Sequence, residues 1–120
     1  MNKVIMVGNV VYEPELKTTN SGVNVCRFRL AVKRPDDKDT TDFIDCVAWR
    51  KTGELIDEYV AKGDKIGVDG YLTIRQYDGN DGTKKTAVEI VVEEFEFMGK
   101  RTLTPPGLTV DDSTEPSPFD

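Results

Sequence analysis

The chain has no histidine, only two cysteines, a single tryptophan and no basic surplus, since 16 lysines and arginines stand against 22 acids for a net charge of −6. Each shortage excludes something. Without imidazole, a thiolate–imidazole metal site is ruled out and the commonest general base is missing. The sequence also has no Gly-Lys-Ser phosphate loop, no strand-borne nucleophile elbow and no close carboxylate pair with a basic neighbour. Neither an enzyme nor a bound metal or cofactor is therefore expected. Cys26 and Cys46 fall on strand faces that read as inward, where a thiol among Val and Phe behaves as a small hydrophobe, so free buried thiols are expected rather than a disulfide. No apolar run nears the length of a bilayer span, and the opening "MNKVIMVGNVVYEPE" interrupts its valines with Gly8 and Asn9, unlike the core of a signal peptide. A cytoplasmic protein without membrane contact is the expectation.

What is present suits one small domain. At 120 residues, 38% hydrophobic and 32% charged, the core is adequate but not large, and self-association would add burial. The stretch "NKVIMVGNVV" (2 to 11) is a β-rich run closed by Glu13-Pro14, and the segment 18 to 24, with Asn20, Ser21 and Gly22, is a turn. In "VCRFRLAVKR" (25 to 34), Cys26, Phe28, Leu30 and Val32 alternate with Arg27, Arg29, Ala31 and Lys33, as in a sheet with one dry and one wet face. "DFIDCVAWRK" (42 to 51) is the next strand. After it, Leu55, Ile56, Tyr59 and Val60 follow a helical period, with Gly63 as a stop. "KIGVDGYLTIRQY" (65 to 77) resumes the strand pattern with Ile66, Val68, Leu72 and Ile74 inward and Gly70 at a bulge or bend; "TAVEIVVEEFEFM" (86 to 98) is the last strand. Five strands with a short helix between the third and fourth predict an all-β OB-fold barrel over residues 1–100. Residues 101–120, rich in Pro, Thr and Asp, are predicted to be a disordered acidic tail.

The third strand is unusual on both faces. Ile44, Cys46 and Ala48 read as core, whereas the other side sets Phe43 and Trp49 beside Asp45, with Val47 between, so that face is expected to meet something other than the domain's own interior. Bulk charge argues against nucleic acid, with −3 in residues 1 to 100 and −3 in the tail. Local charge argues for it. Lys33, Arg34, Arg50, Lys51, Arg75, Lys84 and Lys85 lie at strand ends or in the hairpin near the aromatic face, while Glu54, Asp57, Glu58, Glu89, Glu93, Glu94 and Glu96 occupy the helix and last strand. Aromatic platforms beside a phosphate-tracking groove are the means of holding single strands. The plainer alternative is that the cations are solvated rim residues and the aromatics are core.

In order and spacing, "MNKVIMVGNVVYEPELKTTNSGVNVCRFRLAVKRP", "DFIDCVAWRKTGELIDEYVAKGDKIGVDGYL" and "TIRQYDGNDGTKKT" resemble the bacterial and phage single-stranded-DNA-binding proteins across roughly residues 1 to 98. The resemblance implies a homotetramer of OB-folds that wraps single-stranded DNA without catalysis in replication, recombination and repair. It implies base stacking on Phe43, Trp49 and Tyr77 and phosphate contacts from Lys3, Lys51, Lys62 and Arg75, with Lys33 and Arg34 suitably placed nearby. It also implies a tail tip, here Asp111, Asp112, Pro118 and Phe119, that docks replication and repair proteins. Three departures stand out: Pro35-Asp36-Asp37 replaces a further aromatic, Asp45 sits on the binding face, and Asp120 follows the terminal Pro-Phe. An OB-fold primosome or recombination accessory that binds protein first and DNA weakly is the alternative, ahead of a cold-shock-type RNA binder.

Overall fold

The computed structural model describes residues 1–99, and the expected tail, with Asp111, Asp112, Pro118 and Phe119, lies outside them. Six strands and one helix follow in the order β1 (Val4–Val10), β2 (Glu15–Thr18), β3 (Asn24–Lys33), β4 (Thr41–Trp49), α1 (Arg50–Tyr59), β5 (Lys65–Asp78) and β6 (Lys84–Phe97). The sheet runs β1-β5-β6-β4-β3-β2, and an added β1 to β3 pairing through Asn9↔Ala31 and Val10↔Leu30 closes the first five of these strands into a ring. All ladders are antiparallel except β4 with β6, which is parallel. The five expected strands form this ring and the helix lies between the third and fourth of them, as in an OB-fold. β2 is an addition. It pairs only with β3, in a segment whose sequence shows one apolar residue, Leu16, and no alternation.

Period-2 alternation on β3 delivers Cys26, Phe28 and Leu30 to the interior, where they meet Cys46 and Ala48 of β4, Ile66 and Val68 of β5 and Ile90 and Val92 of β6. Ile56 of α1 is fully buried in the same cluster and Val60 joins it. The helix begins at Arg50, so Arg50 and Lys51 belong to it rather than to the preceding strand. Trp49 keeps extended angles (φ −104°, ψ 149°) and Arg50 turns to φ 57°, which swings the chain sharply from sheet to helix. Gly53 permits the close docking that follows, because a Cβ there would lie 2.4 Å from the Ala48 carbonyl oxygen. The helix ends at Tyr59, and Gly63, at φ 92°, shapes the turn into β5 instead of ending the helix.

Between Asp69 and Gly70 the β5–β6 register slips, since Asp69 pairs with Glu94 and Gly70 with Val92, leaving Glu93 as the extra residue of a bulge. Beyond it the two strands continue as a ribbon to Asp78↔Lys84. Ile74, expected inward, is 63% exposed, as is its partner Val88 at 48%. The alternation is right, but these residues lie on the ribbon and outside the core cluster.

Candidate nucleic-acid interface

The outer surface of β3, β4, β6 and β5 is one continuous face, because paired residues on neighbouring strands point to the same side. Two cross-strand rows define it: Arg27, Val47, Val91 and Tyr71, and beside it Arg29, Asp45, Glu89 and Thr73. Trp49 extends β4 on one flank of these rows; Phe43 of β4 and Arg75 and Tyr77 of β5 extend the other. Phe43 (59% exposed), Trp49 (42%) and Tyr77 (44%) all stand open on this face, with Phe43 and Trp49 six residues, or about 20 Å, apart along β4. Val47 departs from the expectation for its side of the strand: at 2% exposure it is the buried floor between Arg27 and Val91. Ile44, expected in the core, packs against it while only partly buried.

The candidate phosphate ligands are distributed unevenly. Lys3 lies 2.5 Å from Asp69, and that hydrogen bond, with Glu93 and Glu94 nearby, raises its pKa, so its charge is answered within the chain. Arg34 donates Nε and Nη2 to the two oxygens of Asp42 at 2.9 and 3.1 Å, which raises the guanidinium and lowers the carboxyl. Arg75 lies 3.9 Å from Glu89 and 5.7 Å from the Tyr77 ring centroid, a cation held against a platform. Lys51 is exposed in the first turn of α1, and the Lys62 backbone N–H donates to Glu13 in the turn after the helix. Lys33 ends β3 and shares a cleft of about 400 Å³ with Lys65, Thr41, Asn9 and Gly8. Lys33, Lys51 and Lys62 make no ion pair among the described residues.

Asp45 is neutralised by Arg29: Arg29 Nε donates to Oδ1 at 2.8 Å, which raises the arginine's pKa. Arg27 donates to Glu89, so Glu89 sits between Arg27 and Arg75 with its side chain only 13% exposed. Sequence reasoning missed four contributors to this surface: Tyr71, 37% exposed in the row with Arg27, the arginines Arg27 and Arg29 themselves, and Lys65. Their signal was available. Arg27 and Arg29 are the wet positions of the clearest alternating strand, and Tyr71 has the same parity as Tyr77.

Chemically, the face offers π platforms separated by guanidinium groups. A family model described as the single-strand binding protein family matches residues 1–98. Similar relatives include a single-stranded DNA-binding protein of Clostridium perfringens, 43% identical over 99 residues that cover 82% of this chain and 66% of that protein. Single-stranded DNA-binding protein 3 of Listeria innocua is also 43% identical, over 102 residues covering 82% of this chain and 64% of the relative. The chain thus aligns with slightly less than two thirds of the length of these curated relatives. Among solved structures, the Plasmodium falciparum SSB in complex with ssDNA superposes with a TM-score of 0.73 at 28% identity, covering 82% of this chain and 96% of that one.

Proposed function

This chain belongs to the single-strand binding protein family, and we propose that it binds single-stranded DNA, with little sequence preference, on the outer face of β3, β4, β6 and β5. The observation that carries the reading is the exposure of Phe43, Trp49, Tyr71 and Tyr77 on that one face with Arg27, Arg29 and Arg75 between them. Every base has a π face, so stacking there tolerates any sequence, and the arginines and the unpaired Lys33 and Lys51 take phosphates. The protein acts by coverage rather than catalysis, protecting cytoplasmic single strands in replication, recombination and repair. Its tail docks partner enzymes through Asp111, Asp112, Pro118 and Phe119.

Titration with oligo-dT tests this directly. Trp49 emission is quenched on binding, and affinity falls with salt at a slope of about −0.7 per phosphate neutralised. Unchanged emission together with no retention of oligo-dT at low salt would refute it. An accessory protein that binds protein first is favoured by one observation, the net charge of −6 with Lys3, Arg34, Arg29 and Arg27 already paired to acids. That reading requires oligo-dT binding to be weak even at low salt.

A further inference from the structure

We propose that Asp45 and Glu89 are built-in competitors for the DNA backbone: they occupy Arg29, Arg27 and Arg75 in the free protein and are replaced there by phosphates when a strand binds. The inference rests on the binding face described above and concerns what sets its affinity. Both carboxylates lie in one row across the middle of that face, at paired positions on β4 and β6. Neither is at its rim. Phe43 stands on one side of the row and Trp49 on the other, so a strand stacked on both must cross it.

A carboxylate in the path of a polyanion repels it unless neutralised. Here each is neutralised, Asp45 by Arg29 at 2.8 Å and Glu89 by Arg27 and, at 3.9 Å, by Arg75. The same pairs remove those arginines from the supply of free cations. Their exposure makes exchange feasible: the three arginine side chains are 44 to 56% exposed and Asp45 is 46% exposed, so the guanidiniums can turn to a phosphate without unfolding anything. Guanidinium takes carboxylate and phosphate in the same forked geometry, so one anion can replace the other. Three arginines against two acids leave this cluster with a single surplus positive charge. The Asp45–Arg29 pair, exposed on both sides, holds the fold together only weakly, and Glu89→Gln leaves no unpaired charge at the 13%-exposed position, so both substitutions leave the core intact.

The consequence is a face whose grip is deliberately moderated, and whose salt dependence is shallower than its arginine content suggests. Asp45→Asn and Glu89→Gln, alone and together, test it by Trp49 quenching with oligo-dT across a salt series. Each single variant should bind about 3 to 10 times more tightly than wild type, and the double variant more tightly than either. The salt slope should steepen by about 0.7 for each arginine newly committed to a phosphate. Glu58→Gln, on the exposed side of α1, makes the same change in net charge away from the face and should alter affinity less than twofold. Unchanged or weaker binding by the folded Asp45→Asn and Glu89→Gln proteins would overturn the proposal, since the acids would then be positioning the arginines rather than competing for them. An equal gain from Glu58→Gln would overturn it too, by assigning the effect to bulk charge. Both outcomes presuppose wild-type binding; a wild-type chain and variants that all ignore oligo-dT refute the function itself.

Discussion

Gly70 and Val91 approach so closely across β5 and β6 that a Cβ on Gly70 would sit 1.8 Å from the Val91 carbonyl oxygen. The contact stands at the bulge where Glu93 is looped out of register. Bulges sharpen local twist, and this one precedes the ribbon that carries Tyr71, Arg75 and Tyr77 onto the proposed binding face. Gly70→Ala must move backbone rather than a side chain, so the expected cost is at the high end of overpacking, about 3 kcal/mol. Urea unfolding followed by far-UV circular dichroism measures it; an unchanged midpoint would show that the strands separate freely there.

Alanine substitution of the platforms should give a graded loss. Trp49→Ala and Phe43→Ala should each weaken oligo-dT binding by roughly 1 to 3 kcal/mol per site, with Trp49→Phe retaining most of the affinity. Tyr71→Ala is the discriminating variant. Tyr71 lies in the row with Arg27, Val47 and Val91, so its loss should weaken binding by a comparable amount without lowering stability beyond about 1 kcal/mol. Fluorescence anisotropy of labelled oligo-dT reads all of these but requires no tryptophan.

The sequence made some of this visible and concealed the rest for identifiable reasons. The β3 alternation placed Cys26, Phe28 and Leu30 inside, because burial follows directly from period 2 along a strand whose inner face lines the core. The same rule misplaced Ile74, since pattern reports a strand's face but not where the ring ends and a ribbon begins. It also misjudged Val47, whose outward side is buried by its place in the middle of a four-stranded face. β2 escaped because "ELKT" has a single apolar residue and owes its pairing to β3. The polar row was least legible: Arg27 and Glu89 are 62 residues apart, and only the β4 to β6 pairing brings them together.

Both cysteines should be silent to thiol reagents in the folded protein. Burial pushes the pKa of Cys26 and of Cys46 up to about 12, so at pH 8 only about one thiol in ten thousand is ionised. An acid whose pKa is raised on folding stabilises the native state below its unfolded pKa, about 8.5, and loses that contribution as pH rises toward the folded value. A disulfide exchange reagent at pH 8 should therefore titrate two thiols only in denaturant, and stability should fall between pH 8.5 and 12. Rapid native-state reaction would contradict the burial.

Self-association should involve β1. Residues Val4 to Gly8 pair with β5 alone, and Ile5 and Val7, 68% and 41% exposed, line a hollow of about 240 Å³ with Gly67, Phe95 and Met98. An unpaired strand edge beside exposed apolar side chains invites a second copy, in closed symmetry. Light scattering at micromolar concentration should report a tetramer, and Ile5→Lys should shift it toward smaller species. A stable wild-type monomer would favour the accessory-protein reading instead.

Deletion of residues 111 to 120 should separate the tail from the face. Those ten residues hold Asp111, Asp112, Glu115 and Asp120 and no lysine or arginine, so their removal takes four negative charges from a chain whose net charge is −6. A tethered acidic segment competes with DNA for the same cations, so the truncated protein should bind oligo-dT slightly more tightly, most visibly at low salt where screening is weakest. Thermal unfolding should be unchanged, because the family match ends at residue 98. Capture of replication or repair enzymes should be lost, since a basic pocket that takes the Phe119 ring and reads its neighbouring acids has nothing left to hold. If full-length and truncated chains retain the same partners, the tail is an acidic extension without a docking role.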